Sequence, residues 1–294
     1  MMKKLLAKSL IVGMTLASSS VAFAQGGWGA SSSGGSASHS DMYADMPGVL
    51  AVEAGYVDVS VQSMQPGRGG NANPAAAAKI DGGGWGARAH YTYHAPEEIY
   101  FKLVGGYEEV TLKGSATYTG ASATIDLSKN DYDKYFFGGR VGFAFALSDE
   151  FCLIPVVGFT WSEATLKHKA TTSLFDTKTR GLKASGGVLL KYMFADNWDA
   201  DLELLLKLPL NKRSKTDYDA STSNANLRLK QGKKLGYEVR LPVTYHWDSG
   251  SSAWDLGLAA GYRYQKGDWK TGGAIVDTTK VKAWDVSMML GYRF

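Results

Sequence analysis

The most regular feature of the chain is a two-residue alternation of apolar and polar positions. In the closing residues WDVSMMLGYRF, Trp284, Val286, Met288, Leu290, Tyr292 and Phe294 share one face, and Asp285, Ser287, Met289, Gly291 and Arg293 share the other. A period of two indicates a strand, because successive side chains leave opposite sides of the backbone. The apolar face begins and ends on aromatic rings, as expected where a strand crosses lipid and its two ends lie in the membrane interfaces. Ten segments alternate in this way, roughly 49–63, 84–94, 98–113, 134–147, 151–166, 181–194, 197–210, 234–247, 252–266 and 280–294.

Aromatic spacing supports the same reading. Phe151 and Trp161, Tyr237 and Trp247, Trp254 and Tyr264, and Trp284 and Phe294 each stand ten residues apart. At about 3.3 Å per residue and a tilt near 40°, ten steps rise roughly 25 Å, the height of the lipid-facing band of a transmembrane barrel. Between these anchors the outward positions are apolar, as at Leu202, Leu204, Leu206 and Leu208, or Leu256, Leu258, Ala260 and Tyr262. Connections alternate in length: HAPEE, SDE, ADN and DSGSS are short, whereas 64–83, 114–133, 167–180, 211–233 and 267–279 are long. Such sorting is that of an outer-membrane barrel with both ends in the periplasm, and a Greek-key sandwich lacks it. Lipid offers the backbone no hydrogen bonds, so the sheet must close, with the last strand pairing with the first. The predicted fold is all-β: a closed antiparallel up-and-down transmembrane β-barrel of ten strands, short periplasmic turns and long extracellular loops.

Two stretches fit less simply. Glu53 and Asp58 cannot both face inward without a bulge near Tyr56. The segment 115–128, SATYTGASATIDLS, is able to add two strands as a hairpin standing above the membrane.

The faces opposite the lipid supply the lumen. They carry Arg88, Lys102, Arg140, Lys183, Lys191, Lys207, Arg240, Arg263 and Arg293 against Glu108, Asp199, Asp201, Glu203, Glu238, Asp255 and Asp285. A barrel of about eight strands has an interior just wide enough for side chains to fill, and ten strands widen it modestly. Isolated charges there are costly, so a network of ion pairs that largely plugs the lumen is expected. A narrow polar conduit is the alternative.

Composition narrows the setting. Residues 1–24 combine Lys3 and Lys4, an apolar run and Ala22-Phe23-Ala24, the pattern of a secretory signal. Residues 25–47 are rich in Gly and Ser and read as a flexible periplasmic lead-in, leaving 48–294 for the barrel. Without Lys3, Lys4 and Lys8 the 32 basic residues become 29 against 28 acidic ones, so charge gives no argument for nucleic acid. Cys152 is the single cysteine, which rules out an internal disulfide. After the signal the longest apolar run, CLIPVVGF, has eight residues and a proline, far short of the roughly 18 to 20 of a membrane helix.

The exported precursor, ten alternating segments, sorted connections and terminal Tyr292-Arg293-Phe294 resemble the Gram-negative outer-membrane β-barrel proteins. That resemblance implies recognition of the C-terminal strand, ending on Phe294, by the barrel-assembly machinery. Ten strands also resemble the architecture of the omptin proteases, a family with an Asp-x-Asp pair in its second long loop and an Asp-x-His pair in its fourth. Asp131-Tyr132-Asp133 matches the first pair, but the fourth long connection offers Asp217-Tyr218-Asp219 and no histidine. Without that group no general base of suitable strength is evident, and catalysis is not expected. His90, His94 and His246 should project inward near the periplasmic end as solvated groups, and neither a metal nor a cofactor is implied.

Charge at the two ends is uneven. The short turns carry Glu97, Glu98, Asp149, Glu150, Asp196 and Asp248, whereas 211–233 holds Lys212, Arg213, Lys215, Arg228, Lys230 and Lys233 against two aspartates. These cations are candidates for contact with lipopolysaccharide phosphates. The reading that follows is a non-catalytic, monomeric surface or interaction protein of the outer membrane. A narrow porin-like channel and an outer-membrane enzyme are the alternatives.

Overall fold

The computed structural model describes residues 47–65, 76–94, 99–118, 124–126, 130–169, 174–218, 227–232, 234–249, 252–271 and 274–294. The signal segment and the lead-in up to residue 46 lie outside them. In chain order the strands are β1 (Gly48–Gln65), β2 (Ala76–His94), β3 (Ile99–Tyr118), β4 (Thr124–Asp126), β5 (Asn130–Phe143), β6 (Phe145–Ala146), β7 (Phe151–Lys169), β8 (Leu174–Ala195), β9 (Trp198–Tyr218), β10 (Leu227–Gln231), β11 (Gly236–Ser249), β12 (Ser252–Thr271) and β13 (Ala274–Arg293).

These segments build ten wall strands. β6 continues β5 past Ala144 on one register against β7, with Gly142 opposite Val156 and Phe145 opposite Leu153. β10 continues the line of β11 between β9 and β12. β4 continues the line of β5 beside β3, so the described parts of 115–128, residues 115–118 and 124–126, extend two wall strands rather than adding two more. All pairings are antiparallel, and β13 pairs with both β12 and β1, where Val49 faces Arg293. The sheet is closed.

Two expectations are corrected. β1 runs without a bulge against both neighbours, because Asp58 faces outward. It lies opposite Trp284, at the level of the outer aromatic ring, where a carboxylate meets the polar interface rather than hydrocarbon. A bulge sits instead on β9, where Leu182 pairs with Asn211 and Lys183 with Pro209, leaving Leu210 extra beside a proline that has no N–H to give. The long connections are also shorter than expected. β7 and β8 continue to Lys169 and from Leu174, and β12 and β13 leave only 272–273 between them. Alternation of apolar residues stops at the membrane edge, whereas Thr-rich polar stretches such as Thr177–Arg180 keep pairing above it. Strands of 18 to 22 residues at about 3.3 Å each and a tilt near 40° rise roughly 45 to 55 Å, about twice the lipid band.

Outward side chains in the lipid band are apolar and open: Met288 is 72% exposed, Val157 63%, Val286 and Leu258 59%. Rings mark both limits of this band. At the periplasmic end Phe101, Tyr91, Phe294, Tyr292 and Trp254 follow one another at centroid distances of 5.1 to 6.4 Å. At the outer end Trp85, Tyr107 and Tyr135 form one run, and Tyr264, Tyr237, Tyr262 and Trp284 another. Gly83 allows the Tyr56 ring of the neighbouring strand to lie across it, which a Cβ would block.

The interior is layered rather than uniformly charged, which the sequence reading had not anticipated. Tyr100, Ala144, Cys152, Ile154, Val156, Leu189 and Leu205 pack together inside the periplasmic half. Val57, Val59, Ile80, Val110, Leu112 and Ala283 pack inside the wall from the outer ring upward. The larger group of charges lies between them.

Candidate functional site

The lumenal charges are delivered by parity. Arg88 on β2, Lys102 and Glu108 on β3, Arg140 on β5, Glu203 and Lys207 on β9, Glu238 and Arg240 on β11, Arg263 on β12 and Asp285 on β13 all fall on the inward face, where they meet across the axis. Glu53 is the hub of one group: Arg240 donates to its Oε2 and to Ser287, Arg88 Nε lies 3.5 Å away and His90 Nδ1 3.2 Å. Arg88 Nη2 also donates to Asp285 Oδ1 at 2.7 Å, with Arg240 Nη1 3.7 Å from the same oxygen. Glu203 accepts from Lys102 at 2.7 Å and Arg140 at 2.8 Å. Glu238 accepts from Lys207 at 2.5 Å and lies 3.5 Å from Arg140. Glu108 accepts from Arg263 at 2.6 Å and Lys134 at 3.0 Å, and the Lys134 ammonium sits 4.9 Å from the Phe136 ring centre. Gly261 makes room for this set, since a Cβ there would meet the Asp285 carboxylate at 2.7 Å.

A second group lies toward the periplasmic end. His246 stands between Asp255 at 2.8 Å and Asp199 at 3.2 Å, Arg293 Nε is 2.9 Å from Asp255, and Lys191 Nζ is 3.5 Å from Asp201. Every residue expected in the lumen therefore takes part in an ion pair or lines the cavity described next. The histidines do point inward, but as buried partners and not as solvated groups: His90, His246 and His94 are 6%, 3% and 2% exposed, and His94 packs its ring edge on Tyr100. Sequence reasoning missed Glu53 and Lys134 as members. Parity with Ala51 and Val57, and with Arg140, would have placed both inward.

A cavity of about 160 Å³ is lined by the first group. Its wall continues along β7 and β8 past Thr160, Ser162, Ala164, Thr179 and Lys183. Tyr100, Ile154, Leu189 and Leu205, all essentially buried, fill the interior on the periplasmic side.

The Asp-x-Asp triplet does not lie in a loop. Asp131 and Asp133 are on β5, where Asp133 accepts from Tyr107 at 2.8 Å and lies 3.6 Å from Lys167. Asp131, Lys167, Asp176 and Asp217 form one cross-strand row over β5, β7, β8 and β9. Three strand spacings, about 14 Å along the wall, separate the backbones of Asp131 and Asp217 at its two ends. Asp219 lies outside the described residues. Among the described residues no three His, Cys, Asp or Glu side chains are grouped to hold a metal ion.

Of the six cations proposed to touch lipopolysaccharide, Lys212, Arg213 and Lys215 lie in the upper part of β9 and Arg228 and Lys230 in β10, while Lys233 falls outside the described residues. They are thus part of the wall and not of a loop. The register aligns them: Lys178, Lys215 and Arg228 form one cross-strand row, and Arg180, Arg213, Lys230 and Lys270 the next. Lys178 and Arg180 are exposed on the outer face, four and two residues above Leu182, which pairs with Trp161 of the outer ring.

The family model of the outer membrane protein beta-barrel domain matches residues 9–230. The chain belongs to that family. It is a protein of the bacterial outer membrane, and β11 to β13, beyond the matched span, complete the same wall. Among solved structures, the outer membrane protease OmpT from Escherichia coli superposes with a TM-score of 0.64 at 8% identity, covering 84% of this chain and 97% of that one. The translocator domain of autotransporter NalP from Neisseria meningitidis gives 0.42 at 10% identity over 99% and 98%, and the attachment invasion locus protein Ail of Yersinia pestis 0.31 at 14% over 85% and 100%. At such identities the OmpT likeness shows the fold alone. A search of curated protein sequences returns no significant match.

Proposed function

We propose that this barrel is a non-catalytic surface protein, closed to solute flow and seated in lipopolysaccharide through its outer wall. The observation that carries the reading is the pair of like-charge rows across β8, β9, β10 and β12. Like charges directly opposite on neighbouring strands repel, and the one carboxylate that meets them at the β8 end, Glu163, opposite Arg180 and 2.5 Å from Lys178, is outnumbered, so such rows are stabilised by an external anion. They stand just above the outer aromatic ring, where the phosphate groups of the outer leaflet lie, and Lys and Arg bind phosphate through charge-assisted hydrogen bonds. The acidic short turns at the other end make the molecule electrically asymmetric across the membrane. Closure is supported by the ion pairs that cross the axis and by the apolar packing beneath them. Phe294, stacked on Tyr91 at 6.1 Å, offers the terminal ring through which the barrel-assembly machinery would engage the strand.

The test is binding of purified lipopolysaccharide to the refolded barrel, with Arg180, Arg213, Lys215, Arg228 and Lys230 changed to Gln together. At least a tenfold loss, with folding intact, is expected; unchanged binding would overturn the assignment. A narrow channel is the second reading, favoured by the lumenal cavity. Planar-bilayer recordings separate the two, since steady openings altered by Arg140→Gln or Asp285→Asn would require a conducting lumen. Peptide turnover abolished by Asp133→Ala would instead establish an enzyme.

A further inference from the structure

We propose that the lumen holds a binding site for a small free oxyanion of the phosphate or sulfate type, a role beyond the surface reading and independent of whether the barrel conducts. Charge count is the first argument. The cavity is lined by the five carboxylates Glu53, Glu108, Glu203, Glu238 and Asp285 and by eight Lys and Arg side chains, seven of which share those carboxylates and the eighth of which is Lys183. Arg88 and Arg240 share Glu53 and Asp285; Lys102, Arg140 and Lys207 share Glu203 and Glu238; Lys134 and Arg263 share Glu108. Eight cations against five carboxylates leave an excess of positive charge among largely buried side chains, where uncompensated charge is costly. A bound oxyanion would offset that excess.

Arg263 supplies the second argument. Its Nη1 donates to Glu108, but Nε and Nη2 are buried and meet no protein acceptor. Those two nitrogens form one edge of the guanidinium, the edge whose parallel N–H groups grip two oxygens of a carboxylate or phosphate at once. That edge belongs to a residue lining a cavity of about 160 Å³, roomy enough for a tetrahedral oxyanion, with the Thr160, Ser162 and Thr179 hydroxyls on its wall. Glu108 anchors the guanidinium through Nη1, leaving the Nε/Nη2 edge without a protein partner.

The experiment is calorimetric titration of the refolded barrel in a neutral detergent with sodium phosphate, against sodium chloride at equal ionic strength. Saturable one-to-one binding of phosphate, competed by sulfate and absent with chloride, is expected. Arg263→Gln and Lys183→Gln should each weaken it tenfold or more. No saturable binding, or binding that both folded variants retain in full, would overturn the site. Should either variant fail to give the folded band on an unheated gel, crystals of the unaltered protein grown with selenate decide the matter: an anomalous peak beside Arg263 supports the site and its absence defeats it. Silent bilayer recordings would leave this result untouched, and lipopolysaccharide binding to the outer wall would survive both variants.

Discussion

The wall has opposite polarity below and above the outer aromatic ring. Below it, Leu204, Leu206, Leu258 and Met288 are exposed and Glu203, Arg240 and Asp285 are buried. Above it, Lys79, Lys113 and Lys282 are exposed, while Val59, Ile80, Val110 and Leu112 are buried. The same strands carry both arrangements, with no change of pairing where they meet: β1 holds one register from Val49 to Met64 against β13. What changes is the medium outside. Hydrocarbon favours apolar side chains outward and leaves polar ones to satisfy each other inside, whereas water outside restores the usual apolar interior. Solvent, not strand geometry, decides which face is core.

The largest expected effect comes from breaking the lower interior. Glu203→Leu leaves Lys102 and Arg140 facing a hydrocarbon side chain, and removal of one partner from a buried ion pair costs about 3 to 5 kcal/mol. Urea unfolding followed by loss of the heat-sensitive gel band measures it. Its neighbour Leu204 lies on the opposite face and 37% exposed, so Leu204→Arg should cost roughly 2 to 4 kcal/mol by placing a cation in lipid. Adjacent residues thus answer to opposite rules. If arginine at 204 were tolerated while leucine at 203 stabilised the barrel, the faces would be reversed.

How far the sequence discloses this depends on the same contrast. Below the ring, alternation is strong because hydrocarbon rejects every outward polar group, and Trp284 to Phe294, or Leu202 to Leu208, could be assigned to faces directly. Above the ring that constraint lapses. Thr177–Arg180 and Lys212–Lys215 carry polar residues on both sides and resemble loops until their partners are known. Membership of the lumenal network was legible from parity wherever the strand itself was, as for Arg140 and Asp285. It failed at Glu53, because that residue was weighed together with Asp58, which stands at the level of the outer ring and faces outward. Which cations share which carboxylate was not legible, since those contacts join residues up to 197 positions apart, as in Arg88 with Asp285.

Above the ring the interior should behave like an ordinary core. Ile80 is 5% exposed among Val59, Val110 and Leu112, so Ile80→Val should cost about 1 kcal/mol through one lost methylene and its cavity. A cost near zero would mean that the upper wall is open to water within, and the inversion of polarity would end at the ring.

The smallest effect is expected on the outer face at the same height. Lys79 and Asp81 form an ion pair at 2.9 Å with side chains 60% and 45% exposed. Partial burial pushes the Asp81 carboxyl up, but hydrogen bonds from Ser60 and Lys79 and the Lys79 charge outweigh it and hold the group below its ordinary value. A lowered value in the folded state means the contribution is present above the ordinary carboxylate range and fades as pH falls through and below it. Water screens so exposed a pair, so Lys79→Gln should cost less than about 0.5 kcal/mol at neutral pH. The difference from the unaltered barrel should shrink as pH falls below about 4, where the unfolded-chain aspartate protonates, and vanish once the folded-state carboxyl is protonated too. The same kind of pair inside the lower barrel is expected to matter several times more. A loss at Lys79 comparable to that at Glu203, persisting in high salt, would show that the upper wall is not bathed by water on its outer side.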